Sequence, residues 1–581
     1  MGDRISRLLE PTNKYNSLII CVNLLEITLM KISRIRRVRN ALLAVALLGG
    51  AAAQGQGAAK PDWQWSVPVE SVISSETSDH PRAFLWIPPG CKRLRGVVIG
   101  QHNMEEEQIF EHPVFRRTLA ELDFAVIWIT PALDLFFRFD RGSADKFEEM
   151  LQALAAESGY SELARVAVVP LGHSAAASYP WNWAAWNPKR VLAVISVSGQ
   201  WPYYKDANTP DWGDRNVDGI PGLVTMGEFE GACRRADVGL RQRADRPLTP
   251  LSMLAEPAGG HFAATDDKVS FLGCYLRSAA KARLPDAWPI DQAPVLKPID
   301  PTRTGWLVDR GREDGKPTAA AAPVGQYTGN PRDAFWCFDE AQAKATEKFQ
   351  SHHAGKKSQF IGYVQRDGVV PQVKRHVRTS LRFEPMEDGV TFKLRATLLD
   401  AAPADGAGLT QGAPVGHADN ASPGTIERIC GPVEKLGPDM FRLQFYRMGM
   451  NNVKRSNSMC FIARHPGDEE YRPAEMEAEL NFPLVNKEGA DQTLTFQAAG
   501  KVAARTPSIA IDATSSSGLP VSFYVREGPA YLDGHTLHFT PIPPRAKFPV
   551  KVTVIAWQWG RSIDPKVKSA TPVERGLLIT R

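Results

Sequence analysis

Between Trp63 and about Ile290 the chain alternates short unbroken apolar runs with stretches whose apolar residues recur at helical spacing. Residues 83–87, 96–99, 124–129, 166–169, 191–196 and 223–226 read as strands, and residues 114–122, 145–158, 175–186 and 269–281 as helices. Strands without polar alternation fit a sheet covered on both faces. Strand and helix in regular succession predict a mostly parallel α/β sheet flanked by helices.

The texture changes after Ile290. Residues 294–330 are rich in Pro, Gly, Ala and Thr and read as a linker or an elaborated surface loop, with a helical patch over 333–349. From about Gln359 the pattern alternates apolar with polar residues, over 381–383, 390–396 and 441–446, which predicts all-β structure. Further short strands at 509–511, 521–525, 537–539 and 550–555 are separated by turns such as Ser517-Gly518 and Asp533-Gly534, and predict a β-sandwich. Residues 516–523, with Gly528-Pro529-Ala530 and Asp533-Gly534, resemble the immunoglobulin-like modules appended to secreted bacterial proteins. The expected organisation is a leader over 1–53, an α/β catalytic domain over 63–290, a linker and extension over 291–350, a β-rich domain over 351–488 and an Ig-like sandwich over 489–581.

At 581 residues, 43% hydrophobic and 23% charged, the composition is that of a multidomain globular chain. The net charge of +5 has a local origin in Lys31, Arg34, Arg36, Arg37 and Arg39, so no nucleic-acid partner is expected. That cluster precedes an apolar stretch, 41–53, that ends in alanines, the build of a secretory signal peptide cleaved just after Ala53, with Met30 as the true start. The alternative is a membrane anchor, but a bilayer span needs about 20 apolar residues. Export to the periplasm or beyond lets cysteines pair. Six lie downstream of the leader (Cys91, Cys233, Cys274, Cys337, Cys430 and Cys460), none in the CxxC spacing of a zinc site.

One short stretch carries candidate chemistry. The apolar run 166–171 ends in Gly172-His173-Ser174-Ala175-Ala176, followed at once by a predicted helix. A nucleophile elbow needs small residues two before and two after its serine, because a tight strand-to-helix turn leaves no room for larger ones. Gly172 and Ala176 meet that requirement. The N–H of Ala175 would then face an oxyanion.

A serine also needs a base and an acid. Of the twelve histidines, His261 alone lies downstream of the elbow yet within the α/β region, in the glycine-rich segment 256–262. Other histidines, among them His352, His353, His376, His417, His465, His535 and His538, fall in or near the β-rich part. The acid is expected after the strand 223–226, where Glu228 and Glu230 both stand; the Gly-Glu-x-acid-Gly pattern favours Glu230. Glu230 lies 56 residues after Ser174, and His261 follows 31 residues later, which leaves no space for a large cap domain. A second oxyanion donor is expected after the strand 96–99, from the N–H of Asn103, that of Met104 or the Asn103 side chain.

The elbow, the oxyanion loop and the order Ser, acid, His resemble the α/β-hydrolase superfamily, over roughly residues 63–290. Its compact secreted esterases, including carbohydrate esterases, are the nearest in pattern. The resemblance implies a triad of Ser174, Glu230 and His261 and an acyl-enzyme mechanism that needs no metal or organic cofactor. It implies an ester-bearing carbohydrate as substrate, with the β domains as a contact for polysaccharide or cell surface. A peptidase, a lipase and a non-catalytic binding protein remain as rivals, because fold alone does not fix the reaction. Gln200, Trp201 and Tyr203 follow a strand end and are expected either to line the substrate site or to pack the loop against helices. Trp181, Trp183 and Trp186, on the helix leading away from the elbow, are expected in the core. Residues 214–220 copy half of a calcium loop, but Thr225 stands where the ligand Glu belongs.

Overall fold

The computed structural model describes residues 62–581 apart from 367, 374–377, 405–408, 419–423 and 498–499. The expected leader and signal peptide, and His376, lie outside the described residues. No helix among the described residues is long and apolar enough to cross a membrane.

Eight strands form the central sheet: β1 (Trp65–Pro68), β2 (Arg82–Trp86), β3 (Gly96–Gln101), β4 (Phe124–Thr130), β5 (Ala167–His173), β6 (Val194–Val197), β7 (Gly222–Gly227) and β8 (Leu251–Glu256). Their order is β1-β2-β4-β3-β5-β6-β7-β8. β2 runs antiparallel to both β1 and β4, and the rest are parallel. This is the α/β-hydrolase fold. Every residue of β3, β4 and β5 is buried, as unbroken apolar strands require in a sheet covered on both faces.

The helices are α1 (Glu106–Glu111), α2 (Pro113–Leu122), α3 (Ser143–Ser158), α4 (Tyr179–Trp186), α5 (Ala232–Asp245), α6 (Asp266–Arg283) and α7 (Glu340–Ser351). One face of the sheet packs Leu151 of α3 and Trp183 of α4, and the other packs Phe110, Phe115 and Leu272 of α1, α2 and α6. Of the tryptophans of α4, Trp181 and Trp183 are buried as expected and Trp186 is half-buried against the same cluster; the Trp181 ring lies so close to Gly222 of β7 that a Cβ there would stand 1.9 Å from it. Local signals set the helix starts. His112 caps α2 ahead of Pro113, and the Thr265 side chain accepts from Lys268 N to open α6, a contact of about 1 kcal/mol.

Two expected elements differ. Residues 175–186 do not form one helix: a 3-10 turn over Ser174–Ala176 precedes α4, which begins only at Tyr179. Residues 333–349 are likewise not one helix. Ala334–Cys337 is a strand, β11, that pairs with β9 (Trp306–Asp309) beside β10 (Ala322–Pro323), and α7 starts after it, capped by Asp339. Four consecutive apolar residues have no polar face to give a surface helix. Ser252 Oγ donates to the Trp336 carbonyl and Ala255 N donates to Gln350, so this extension covers the outer edge of the sheet at β8.

The remainder is all-β. Ala474–Asn481 pairs in parallel with Arg378–Arg382 and antiparallel with Ser458–His465, which also pairs with Thr425–Cys430. The expected strand over 390–396 is two, Thr391–Lys393 and Arg395–Leu398, which join different sheets about buried Leu394. In the last part, Val550–Trp557 pairs with Ser522–Glu527 and Val573–Thr580. Its Phe523, Val552 and Leu577 share one apolar cluster with Leu85 and Ile127 of the α/β sheet. The six described cysteines are free thiols, with Cys430 and Cys460 opposite each other in register.

Candidate active site

β5 ends at His173, and the chain turns into the 3-10 helix Ser174–Ala176 without an intervening loop. Ser174 takes φ 53°, in the left-handed region, a conformation that costs about 1–3 kcal/mol outside glycine and persists where the surroundings enforce it. Here the enforcing contact is visible. A Cβ at position 172 would stand 2.1 Å from the Ala176 carbonyl oxygen, so the turn closes directly onto Gly172. Ser174 is left half-buried at the carboxyl end of the sheet, and Ala175 beside it is exposed.

His261 lies in the loop between β8 and α6, and Glu230 ends the 3-10 turn Glu228–Glu230 that follows β7. The loops bring them to Ser174. His261 Nε2 is 2.7 Å from Ser174 Oγ, and His261 Nδ1 is 3.2 Å from Glu230 Oε2. The histidine side chain is 7% exposed and the glutamate 19%. A hydroxyl against an imidazole whose far nitrogen faces a carboxylate is arranged so that the hydroxyl proton can pass to the ring. Glu228 points elsewhere: its carboxylate accepts from Arg472 at 2.9 and 3.0 Å and from the N–H of Ala258 at 2.8 Å.

The His261 carbonyl is held from behind. It lies 2.9 Å from His173 Nε2 and accepts from Ser198 Oγ. A carbonyl acceptor assigns the proton of His173 to Nε2. Sequence reasoning passed over His173, whose one signal was its place beside Ser174.

The oxyanion loop departs from expectation. The N–H groups of Asn103 and Met104 both donate to Glu106 Oε2, at 3.2 and 2.9 Å, while Glu106 Oε1 accepts from His173 N at 2.8 Å. The Asn103 amide donates to the His173 carbonyl. These three groups therefore serve to pin the loop around a fully buried carboxyl instead of being presented to an oxyanion. Burial pushes the Glu106 carboxyl up to about 7, against the pull of those backbone donors.

Of the two readings of Gln200, Trp201 and Tyr203, the structure shows packing of the loop. Trp201 is 3% exposed, stacked on Phe335 with ring planes 3° apart, and its Nε1 donates to the Arg235 carbonyl. Tyr203 packs on Trp212 at 4.7 Å beneath the Arg246 guanidinium. Gln200 spends its carbonyl on Trp181 and its side chain on Arg235. All three pack the loop to its neighbours. For Trp201 the covering partner is Phe335 of the extension, whereas Tyr203 and Gln200 pack on Trp212, Trp181 and Arg235.

Neither a family profile nor a curated protein sequence matches the chain. Solved structures do. A dienelactone hydrolase from Anabaena variabilis is 17% identical, with 38% of this chain and 97% of that one covered and a TM-score of 0.26. An esterase from Pyrobaculum calidifontis is 14% identical, covering 38% and 87% at 0.27. A poly(3-hydroxybutyrate) depolymerase from Bordetella parapertussis is 14% identical, covering 39% and 93% at 0.28.

Proposed function

We propose that the chain is an exported serine hydrolase that removes an acyl group, acetyl or a similarly small ester, from a carbohydrate. The observation that carries the hydrolase reading is the contact between Ser174 Oγ and His261 Nε2 at 2.7 Å with Glu230 at the far nitrogen. Ser174 Oγ attacks the ester carbonyl as its proton moves to His261 Nε2. The tetrahedral oxyanion is met by the N–H of Ala175, and its collapse expels the alcohol, which takes the proton from His261. Water, activated by the same nitrogen, then releases the acid and restores Ser174. Glu230 holds the ring and stabilises its positive charge.

The substrate class rests on the basic and apolar leader at 31–53 and on the β regions, whose last part resembles Ig-like modules of secreted proteins. A cleft of about 670 Å³ bordered by Tyr446, Tyr531, Glu434 and Arg442 offers aromatic and polar groups of the kind that bind sugars.

A fluorophosphonate probe is expected to label Ser174 stoichiometrically, located by peptide mass spectrometry, and acetylated polysaccharide to release acetate in the same preparation. Preference for long-chain esters or peptides would replace the carbohydrate assignment with a lipase or peptidase. Polysaccharide binding without labelling would make the chain a binding protein. Gly172→Ala, whose methyl would meet the Ala176 carbonyl, is expected to cut p-nitrophenyl acetate turnover by about 100-fold, the usual effect of displacing a nucleophile by an ångström.

A further inference from the structure

The loops that carry His261 and Glu230, and the Asn103 loop beside them, are each gripped by a side chain from the all-β region. Glu477, on the strand Ala474–Asn481, is 1% exposed, and its Oε1 accepts from the N–H of Phe262 at 2.7 Å. Arg472, 5% exposed, makes its two contacts with Glu228, two residues before Glu230. Arg455 donates to the Asn103 carbonyl in the loop after β3.

The Glu477 contact is the most constrained. A Cβ on Gly260 would stand 2.4 Å from Glu477 Oε1, so the glycine ahead of His261 exists where the backbone approaches this carboxyl. Burial pushes the Glu477 carboxyl well above the usual range, with the N–H groups of Phe262 and His261 pulling the other way. A buried carboxyl of this kind is retained at a cost, and the loop it touches meets it at Oε1. The loop is thus fixed on two sides: His173 and Ser198 hold the His261 carbonyl, and Glu477 holds the next N–H.

We propose that the all-β region is a working half of the active site, with Glu477 the residue that positions His261 against Ser174. This rests on the serine-hydrolase reading. Glu477 touches no reacting atom and acts through the backbone of residues 260–262. Because it sets geometry and not binding, its loss lowers the rate of attack by Ser174 and leaves substrate affinity unchanged.

The test uses the full chain and two readouts, the second-order rate of fluorophosphonate labelling at Ser174 and the kcat and KM for p-nitrophenyl acetate. Glu477→Ala is expected to slow labelling and lower kcat together by about 10- to 100-fold, with KM within about twofold. Glu477→Gln keeps an oxygen for the Phe262 N–H and is expected to recover most of the rate. Should Glu477→Ala fail to fold, Gly260→Ala presses on the same carboxyl from the loop side and is expected to slow labelling in a chain that denaturant unfolding shows to be folded. Wild-type rates in a folded Glu477→Ala or Gly260→Ala would overturn the proposal, as would an equal change in KM. A wild-type chain that the probe leaves unlabelled would sink the hydrolase reading itself, and this inference with it.

Discussion

Ser174→Ala is expected to lower kcat for p-nitrophenyl acetate by about 10⁵-fold, the scale on which a nucleophile and its base act as one unit. The substitution removes one oxygen whose partner is His261 Nε2 and disturbs no buried contact. Stability should therefore stay within about 1 kcal/mol of wild type, and denaturant unfolding checks that the loss is chemical. His261→Ala should lose nearly as much, and the double variant no more than either single one, because neither group works without the other. A sum of separate losses in the double variant would show that the two act independently, and the contact at 2.7 Å would then be incidental. Residual turnover of Ser174→Ala near the wild-type rate would place the nucleophile elsewhere.

The sheet and the surroundings of Ser174 were legible for a local reason. Unbroken apolar strands announce a doubly covered sheet, and the steric demand that closes the elbow falls on Gly172 and Ala176, within two positions of the serine. Ser174, Glu230 and His261 come together at strand ends, where strand order alone brings loops side by side. Glu106, Glu477 and Arg472 carried no such mark. Phe262 and Glu477 are separated by 215 positions, and Glu228 and Arg472 by 244, so no local pattern links them. Trp201 was ambiguous for a related reason. An aromatic residue on a strand-end loop faces substrate or core according to what covers it, and the covering residue, Phe335, belongs to a segment whose composition reads as a linker. The two N–H groups expected at the oxyanion were diverted by a glutamate only two or three residues away, because Glu106 opens a helix and turns back on the loop before it.

Lys268→Met is expected to destabilise the fold by about 3–5 kcal/mol at neutral pH, the usual result of removing one partner from a buried ionic group. Lys268 Nζ lies 2.8 Å from Glu105 and 3.1 Å from Glu256, with the lysine 1% exposed and the two carboxylates 0% and 10%. The three side chains tie α1 to α6 and to the end of β8, where the histidine loop begins. Burial pulls the Lys268 amine down, but the two carboxylates outweigh it and hold the amine above its ordinary value. A cation raised in the folded state contributes fully below its unfolded value of 10.5, so the whole loss is felt at pH 7. In the variant, Glu256, already pushed up by burial, loses the charge that pulled it down. Its folded carboxyl then binds a proton more readily than the unfolded one, and the deficit shrinks as pH falls from 7.5 toward 5.5. Urea unfolding at both pH values reads the effect directly. Glu105→Gln with Glu256→Gln on the Lys268→Met background should recover part of the stability, because the unpaired charges are then gone. An unfolding midpoint unchanged by Lys268→Met, or a deficit that grows on acidification, would show that the trio is hydrated and contributes nothing to holding the loop of His261.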